Sequence, residues 1–323
     1  MKPIVSVANI FPEAGLEVLR SHCDVRANTS EKRSTTEDLK KMASVSDGII
    51  TCLSDKIDAN VIDQGKKLKV IANYAAGYNN VDFAYAAQKG IWVTNTPSVL
   101  HETTADLTWA LLLGVARRIV PADRFTREGK FDGWVAKLFL GRDVYGKTLG
   151  IIGCGEIGGA VARRAQGFNM KVLYYQRTRL PEEAESDLKL NFTSLDYLIK
   201  NSDFITLHLP LNPGSECMIG KKEFQSMKDT AFLINAARGK VVDDKALVDA
   251  LKSRQIAGAA LDVYENEPQL TEGMTELDNL ILMPHIGSAS VETRDRMAVL
   301  TAENVLDALG GKKPRSVVNS VTD

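Results

Sequence analysis

Two series of short apolar runs, separated by amphipathic stretches, predict two parallel β-sheets along this chain. In the first series each run has the length of a buried strand, and the segments between the runs have the apolar spacing of helices. Alternation of strands and helices is typical of a parallel sheet with helices packed on its faces. The strands predicted for this series are residues 4–7, 48–51, 70–73 and 91–93.

The second series starts at Thr148 and predicts six strands, which is the number in a full dinucleotide-binding sheet. These strands are residues 149–152, 172–175, 204–207, 231–234, 258–261 and 280–283. Helices are predicted at residues 158–166, 221–227 and 244–253, and a last helix at 291–309. The last helix ends at Gly310 and Gly311, which form a C-cap signal.

Residues 101–120 interrupt the alternation between the two series. This stretch is apolar almost all round, so we expect one long, buried helix that lies between domains or between subunits.

Length and composition add limits to this picture. A chain of 323 residues suggests two domains, and 44% apolar with 25% charged residues is typical of globular proteins. The 40 basic residues balance 41 acidic ones, so no overall field favours nucleic acid or an anionic membrane. No apolar run approaches membrane-spanning length, and the N-terminal run is interpreted as a strand, not a signal peptide.

The cysteines point to a reducing compartment. Cys23, Cys52, Cys154 and Cys217 are far apart and show neither a C-x-x-C pattern nor a zinc-ligand spacing. We therefore expect free thiols, no metal site and a cytoplasmic protein.

A glycine-rich motif, GCGEIG, follows the first strand of the second series and opens an alanine-rich helix. Gly153 permits a tight turn, Gly155 lets the backbone approach a pyrophosphate, and Gly158 allows close packing of helix and strand. This context predicts dinucleotide binding. Because the motif lies near the middle of the chain, we place a dinucleotide-binding domain at residues 100–286. Residues 1–99 and 287–323 would then form one discontinuous substrate domain.

The next strand of this series ends at Gln176, where dinucleotide-binding domains normally carry an acidic residue for the ribose. Gln176 is followed by Arg177, Thr178 and Arg179. A neutral amide does not repel a 2′-phosphate and two guanidinium groups can bind one, so we favour NADP over NAD. The alternative is that the two arginines belong to a solvated surface turn.

Polar residues follow the later strands, at the sheet edge where ligands bind in parallel α/β folds. Arg238 could grip a carboxylate and polarise a carbonyl group, and a histidine could exchange a proton near neutral pH. His208 and His285 are equally plausible by position, and Glu267 could stabilise a protonated histidine. The alternative is a structural ion-pair cluster.

Four blocks of the sequence together resemble the D-isomer-specific 2-hydroxyacid dehydrogenase family, in particular its glyoxylate and hydroxypyruvate reductase branch. The blocks are GCGEIG at 153–158, LINAARG at 233–239, LDVYENEP at 261–268 and PHIGS at 284–288. The resemblance covers essentially the whole chain. It implies two Rossmann-like, doubly wound parallel-sheet domains, with the cofactor domain inserted into a flavodoxin-like substrate domain.

The resemblance also implies roles for individual residues. Arg238 would bind the substrate, Glu267 would orient the histidine, and His285 would be the general acid or base. The loop at Ala76 and Gly77 would receive the substrate carboxylate. The cofactor contacts implied, besides the three glycines and residues 176–179, are Thr104, Glu156, Ile157, His208, Pro210, Ala236, Asp262 and His285. Trp134 would reach the site of a neighbouring subunit in a homodimer formed through the helix at 101–120.

The expected activity is reduction of a small 2-keto acid, glyoxylate or hydroxypyruvate, by NADPH or NADH. Phosphoglycerate dehydrogenase is the main alternative, although the chain ends soon after its last helix and leaves no room for the regulatory domain often present there. D-lactate and phosphonate dehydrogenases are weaker alternatives. A different class with this fold is the dinucleotide-sensing corepressors, which bind partner proteins.

Overall fold

Each of two units of the chain is built on its own parallel sheet in the computed structural model, which describes residues 2–321. The first unit contains the described residues up to Leu100 and from Ser288 onward, and the second contains His101–Gly287. The boundaries expected from sequence differ from these by one residue at each junction. Met1, Thr322 and Asp323, which the sequence assigned to the substrate domain, lie outside the described residues.

The helices and strands follow one another in the order expected of alternating α/β units. The first unit contains β1 (Ile4–Val7), α1 (Glu13–Arg20), β2 (Asp24–Ala27), α2 (Thr36–Val45), β3 (Gly48–Thr51), α3 (Ala59–Ile62), β4 (Val70–Asn73), α4 (Phe83–Gln88), β5 (Trp92–Thr94) and, from the end of the chain, α12 (Val291–Leu309). The second unit contains α5 (His101–Ala116), α6 (Ile119–Arg127), β6 (Thr148–Ile152), α7 (Glu156–Ala165), β7 (Lys171–Tyr175), α8 (Glu182–Asp187), β8 (Leu190–Phe192), α9 (Leu195–Asn201), β9 (Phe204–Leu207), α10 (Lys221–Ser226), β10 (Phe232–Asn235), α11 (Asp244–Lys252), β11 (Gly258–Leu261) and β12 (Leu280–Leu282).

The five-stranded sheet of the first unit has the order β2-β1-β3-β4-β5. All its pairings are parallel, and this order is that of flavodoxin-like folds. The prediction of four strands was wrong because it omitted β2. This edge strand, Asp24–Ala27, has no fully buried residue, so it lacks the apolar run by which the other strands were found.

The seven-stranded sheet of the second unit has the order β12-β11-β10-β9-β6-β7-β8. Counted from β6, this is the doubly wound order 3-2-1-4-5-6 of dinucleotide-binding domains with a seventh strand added at one edge. The prediction of six strands was wrong by one. The omitted strand, β8, is an edge strand of three residues in which only Leu190 is buried. The two parallel α/β sheets confirm the predicted fold class.

The long helix predicted at residues 101–120 is two helices. The backbone of Arg118 is left-handed, with φ of 54°, and this turn separates α5 from α6. Pro121 lies in the first turn of α6, where the missing N–H of a proline costs no helical hydrogen bond. The predicted burial is confirmed for α5, which packs against α7, β10 and β11 within the second unit, whereas α6 has no buried residue.

The last helix has the bounds predicted for it, Val291–Leu309. The Ser290 side chain accepts a hydrogen bond from the Thr293 N–H at 3.3 Å and so caps the helix start. Gly310 is the C-cap, and Gly311 has a φ of 74°, a conformation that favours glycine. No helix of residues 2–321 is both long enough and apolar enough to cross a membrane.

Candidate active site

The glycine-rich loop between β6 and α7 requires glycine at its first and third glycine positions. Gly153 has a φ of 91°, and a Cβ on it would lie 2.7 Å from the carbonyl oxygen of His208. A Cβ on Gly158 would overlap the carbonyl oxygen of Gly153. The first glycine therefore allows the sharp turn next to β9, and the third allows α7 to start directly against it.

Gly155, at the middle of this loop, faces open space. Apart from its neighbours in the chain, no atom of residues 2–321 lies within 4 Å of the position that its Cβ would take, and no side chain among them caps the start of α7 at this residue. The N-terminus of a helix carries a partial positive charge and backbone N–H groups that point along its axis. Glu156 and Ile157 form the first turn of this helix. The loop therefore fits the pyrophosphate of a dinucleotide.

Gln176, at the end of β7, connects the glycine-rich loop to the following turn. Its Oε1 accepts a hydrogen bond from the Cys154 N–H at 3.1 Å, and its Nε2 donates to the Thr178 carbonyl oxygen at 2.7 Å. Both ends of the amide are thus occupied by backbone groups. This position needs a donor and an acceptor at once, which a carboxylate does not provide.

Arg177 and Arg179 have different surroundings. Arg179 donates two hydrogen bonds of 2.8 Å to the two carboxylate oxygens of Glu185, and its guanidinium lies 5.5 Å from the centre of the Phe192 ring. These bonds from Arg179, together with one from the Tyr174 hydroxyl, lower the pKa of Glu185 to about 2. Arg177 is exposed. The guanidinium of Arg179 is therefore already engaged, a feature that the sequence did not indicate.

His208, one of the two candidate histidines, has no hydrogen-bond partner for either ring nitrogen among the described residues. Burial of both nitrogen atoms lowers its pKa to about 3, so the ring is neutral near pH 7. No carboxylate in the described part of the chain is hydrogen-bonded to the ring to stabilise a protonated form. These surroundings do not suit a group that must hold a proton for transfer.

Arg238 follows β10 and is held against the turn that contains Glu267. A Cβ on the next residue, Gly239, would overlap the carbonyl group of Tyr264, so only glycine allows this close approach of the two backbones. The Asn235 side chain accepts a hydrogen bond from the Ala237 N–H and donates to the Arg238 carbonyl oxygen, both at 3.0 Å. The backbone around Arg238 is therefore held from both sides.

The guanidinium of Arg238 lies mostly within the protein. Burial lowers its pKa, and the negative charge of Glu267 opposes that change. An arginine side chain still keeps its proton at any pH at which the protein is folded. Arg238 therefore supplies a weakly hydrated cation, the form of charge best suited to bind a carboxylate with two parallel hydrogen bonds.

His285 and Glu267 form the hydrogen-bonded pair that the sequence suggested. His285 Nδ1 lies 2.8 Å from Glu267 Oε2, and each side chain is about one-third exposed. Burial raises the pKa of Glu267, but the hydrogen bond and charge of His285 outweigh burial and leave it below its usual value. The carboxylate is thus ionised and accepts a proton-bearing Nδ1, so the other ring nitrogen, Nε2, remains for proton exchange.

The backbone at His285 adopts a conformation unusual for a residue with a side chain. Its φ is 56°, in the left-handed region, and the following turn is held by Asp262. The Asp262 carboxylate accepts hydrogen bonds from the N–H groups of Ile286 at 2.7 Å and Gly287 at 2.8 Å. Burial raises the pKa of Asp262, against the effect of these hydrogen bonds and of the charge on His285. Strained backbone held by its surroundings is typical of functional sites.

Tyr264 was not singled out from the sequence, although it lies inside one of the four quoted blocks. Its N–H donates to Glu267 Oε1 at 3.0 Å, and its hydroxyl donates to the Met283 carbonyl oxygen at 2.7 Å. Tyr264 thereby connects Met283, just after β12, to the Glu267 carboxylate that is hydrogen-bonded to His285. The signal available in the sequence was only its position between Asp262 and Glu267.

The remaining predicted residues are distributed over both units. In the second unit Thr104 is buried on α5, with its side chain beside Gly287, and Ala236 is buried after β10. Pro210 is exposed, and Trp134 is 86% exposed. Ala76 and Gly77 lie in the loop after β4 of the first unit. In the part of the chain that the structure describes, no three His, Cys, Asp or Glu side chains converge in a way that could hold a metal ion.

Comparison with known proteins places this arrangement in a family. Residues 109–287 match the D-isomer specific 2-hydroxyacid dehydrogenase, NAD binding domain, family. The chain is also similar to a glyoxylate reductase of Thermococcus gammatolerans, with 49% identity over 99% of this chain and 96% of that one.

Solved structures agree with the sequence relatives. A protein from Thermus thermophilus has a TM-score of 0.91 and 41% identity, covering 98% of this chain and 100% of its own. An NADPH-dependent glyoxylate/hydroxypyruvate reductase from Sinorhizobium meliloti, in complex with NADP and malonate, has a TM-score of 0.87 and 30% identity, covering 98% and 97% of the two chains. The chain belongs to the D-isomer-specific 2-hydroxyacid dehydrogenase family.

Proposed function

We propose that this protein reduces a small 2-keto acid, glyoxylate or hydroxypyruvate, to glycolate or D-glycerate with a reduced nicotinamide cofactor. The proposal rests on the hydrogen-bonded pair of His285 and Glu267, with the Arg238 cation close enough to Glu267 to affect its charge. The same unit contains the glycine-rich loop. Relatives named glyoxylate reductase, nearly half identical over nearly the whole chain, support the same choice of substrate.

In this proposal the chain's own residues bind the substrate and supply a proton. Arg238 and the backbone N–H groups at Ala76 and Gly77 bind the carboxylate, and the Arg238 charge also polarises the keto group. His285 donates its Nε2 proton to the carbonyl oxygen while Glu267 stabilises the charged ring. The keto acid, one hydride and one proton together give the hydroxy acid. For oxidation, His285 takes the proton back.

The second unit holds the cofactor in this scheme. The loop at Gly155 and the start of α7 bind the pyrophosphate, and the turn at residues 176–179 binds the adenosine ribose. Thr104, His208, Pro210, Ala236 and Asp262 contribute further contacts. When bound, the reduced cofactor supplies the hydride.

A direct assay tests this function. Purified protein is mixed with NADPH or NADH and with glyoxylate, hydroxypyruvate, pyruvate or 3-phosphohydroxypyruvate, and absorbance of the reduced nicotinamide is followed. We expect the highest kcat/KM with glyoxylate or hydroxypyruvate. A preference for the phosphorylated acid would instead favour a phosphoglycerate dehydrogenase, and no turnover with any acid would reject the proposed reaction.

We further propose that the enzyme prefers NADPH and that Arg177 is the main contact of the 2′-phosphate. Arg177 is exposed, whereas Arg179 is held by Glu185. We expect Arg177→Ala to lower kcat/KM for NADPH by about tenfold or more, since a hydrogen bond to a charged group is worth about 1.5–3 kcal/mol. The value for NADH should stay within about twofold, because NADH has no 2′-phosphate. Arg179→Ala should reduce the NADPH preference less than Arg177→Ala.

These kinetics can contradict the cofactor assignment in two ways. A wild-type preference for NADH would remove the proposed role of both arginines. A larger loss of NADPH preference in Arg179→Ala than in Arg177→Ala would mean that Arg179 leaves Glu185 to bind the phosphate.

We also propose that the protein is a homodimer in a reducing compartment such as the cytoplasm. The sequence placed the interface on the helix predicted at residues 101–120, but most of α5 packs against α7, β10 and β11 of its own unit. The segment after α5 instead exposes several large apolar side chains, a feature typical of an interface. They are Ile119, Val120, Phe131, Trp134, Val135, Leu138, Leu140 and Tyr145. Trp134 would then reach the partner's site. The four cysteines are all free thiols, which suits that compartment.

Sedimentation velocity tests the dimer. Wild type should sediment with twice the mass of the 35.3 kDa chain, and Leu140→Glu should sediment as a monomer because it places a charge on the apolar segment. Tyr197→Glu changes an exposed aromatic residue of α9 and is the matched control. A monomeric wild type would reject the dimer.

A further inference from the structure

The loop after β4 in the first unit has all its consecutive carbonyl groups occupied from Ala75 to Tyr78. Each accepts one hydrogen bond from a donor of the same unit. The pairs are Thr96 N–H to Ala75 O at 2.8 Å, Asn95 Nδ2 to Ala76 O at 2.7 Å, Asn73 Nδ2 to Gly77 O at 2.8 Å and Val81 N–H to Tyr78 O at 3.1 Å. Two of the four donors are asparagine side chains.

The N–H groups of the same loop are in the opposite situation. Among residues 2–321, nothing accepts a hydrogen bond from the N–H of Ala76, Gly77 or Tyr78. A carbonyl oxygen and the N–H of the next residue belong to one planar trans peptide and point in opposite directions. Holding the carbonyl groups of Ala75, Ala76 and Gly77 therefore directs the three N–H groups away from the donors. Successive backbone N–H groups in a turn can form a concave site for an anion.

The Asn73 side chain uses its full hydrogen-bonding capacity in this arrangement. It is 1% exposed, and its Nδ2 donates to the Gly77 carbonyl oxygen at 2.8 Å and to Asn80 Oδ1 at 3.2 Å. Its Oδ1 accepts from the Thr51 hydroxyl at 3.1 Å and from Asn80 Nδ2 at 3.1 Å. An amide has two donor hydrogens and two acceptor positions, and here all four are used.

Asn80 completes a reciprocal amide pair with Asn73 and anchors it to the loop after β3. Its Nδ2 lies within hydrogen-bond distance of three acceptors, Asn73 Oδ1 and the carbonyl oxygens of Cys52 at 3.0 Å and Asp55 at 2.9 Å, so its two hydrogens are shared among them. The buried Asp55 carboxylate in turn accepts from the Cys52 N–H and from Asn9 Nδ2, both at 2.7 Å. The direction of the Gly77 peptide is thus tied through two amides to a second loop.

We propose that Asn73 and Asn80 are positioning residues for the substrate carboxylate: the pair holds the Gly77 carbonyl so that the N–H groups of residues 76–78 face the ligand. This inference rests on the proposed reduction of a 2-keto acid. Neither asparagine touches the substrate; both act through the backbone of the loop. The consequence is that changes at the buried Asn73 and the partly buried Asn80 alter affinity for the keto acid and leave affinity for the cofactor unchanged.

Three substitutions remove the contacts in different ways. Asn73→Asp keeps the shape but removes both donors and places a negative charge against the Gly77 carbonyl oxygen. Asn73→Leu removes donors and acceptors at similar volume, and Asn80→Leu removes the anchor to the second loop. We expect each to raise KM for glyoxylate by about tenfold, the scale of one lost net hydrogen bond, and Asn73→Asp by more. The KM for NADPH should stay within about twofold.

Asn28→Leu is the matched control. Asn28 is another asparagine of the first unit whose Nδ2 donates to a backbone carbonyl oxygen, that of Ala8 at 3.1 Å. Among the described residues its side chain makes no hydrogen bond to the 75–78 loop. Its loss should lower the melting temperature as the loss of any such bond does, with KM for glyoxylate within about twofold of wild type.

The decisive measurement is binding of oxamate, an unreactive analogue of a 2-keto acid, to the complex with NADPH. Its Kd, from thermal stabilisation, needs no turnover and should rise in parallel with KM in the Asn73 and Asn80 variants but not in Asn28→Leu. Folded variants that bind oxamate as wild type does would overturn the inference and leave the proposed reaction standing. A wild type that binds oxamate but reduces no keto acid would overturn the proposed reaction, while the variants' oxamate Kd still decides whether the asparagines position the loop.

Discussion

Replacing His285 by alanine is expected to reduce kcat for glyoxylate by about 10²–10⁴-fold, the usual contribution of a general acid or base. Among residues 2–321, His285 is the only histidine whose Nδ1 is hydrogen-bonded to a glutamate, and that glutamate also accepts a hydrogen bond from the Tyr264 N–H. The alanine variant loses the proton donor but keeps the glycine-rich loop, so the Kd for NADPH should change by less than about threefold. Stopped-flow and steady-state kinetics, with cofactor fluorescence for binding, measure both quantities.

Two other histidines give the comparison that makes this result specific. His208→Asn should raise KM for the cofactor and lower kcat far less than His285→Ala, because the buried ring of His208 is neutral and has no hydrogen-bonded carboxylate among the described residues. His22→Ala removes an exposed imidazole of the first unit and is the control for the substitution itself. Near-normal turnover in His285→Ala, or a greater loss in His208→Asn, would reverse the assignment of the two histidines.

Replacing Arg238 by lysine is expected to lower kcat/KM for glyoxylate by about 10²–10³-fold, the range found when one donor to a developing oxyanion is removed. Lysine keeps the positive charge but loses the planar fork that binds a carboxylate through two bonds. Its shorter reach also leaves the charge of Glu267 less well balanced, since Arg238 is one of the cations that lower the Glu267 pKa. Steady-state kinetics with glyoxylate test this prediction.

Arg254→Lys is the matched control for Arg238→Lys. Arg254 is an exposed arginine of the second unit whose Nη2 donates to Asp278 at 2.8 Å. Arg254→Lys makes the same chemical change at an exposed ion pair, and exposed ion pairs contribute little to stability. It should keep wild-type kinetics. If Arg238→Lys also kept them, the bidentate role of Arg238 would have to be abandoned.

The central strands were predictable because burial on both faces leaves a continuous apolar run. All four residues of β9, β10 and β11 are buried, and each of these strands was located within one residue. The edge strands β2 and β8 were missed for the converse reason. An edge strand is paired on one side only and carries exposed or charged residues, so its pattern resembles a loop.

The two arginines after β7 show where local pattern fails for the site. Two arginines directly after Gln176 indicated two cations beside the ribose, yet Arg179 is hydrogen-bonded to Glu185. Glu185 stands in an acidic stretch with Glu182 and Glu183, and nothing in the order of residues tells which of the three carboxylates is buried. That choice depends on the face of α8 that packs against β7 and β8, which is a tertiary property.

The sequence alone determined the parallel α/β class, the glycine-rich loop and the set of polar residues at strand ends, because each depends on residues close together in the chain. Turn geometry, strand burial and helix capping are local, and their residue preferences are strong. The tertiary structure alone decided that His208 is buried without a hydrogen-bond partner among the described residues and that Arg179 is bound to Glu185. It also showed that two asparagines hold the carbonyl groups of the Gly77 loop. These features depend on which segments, distant in the chain, come into contact. Those contacts determine the burial and the hydrogen bonds of each group, and through them its charge, so the local sequence does not predict them.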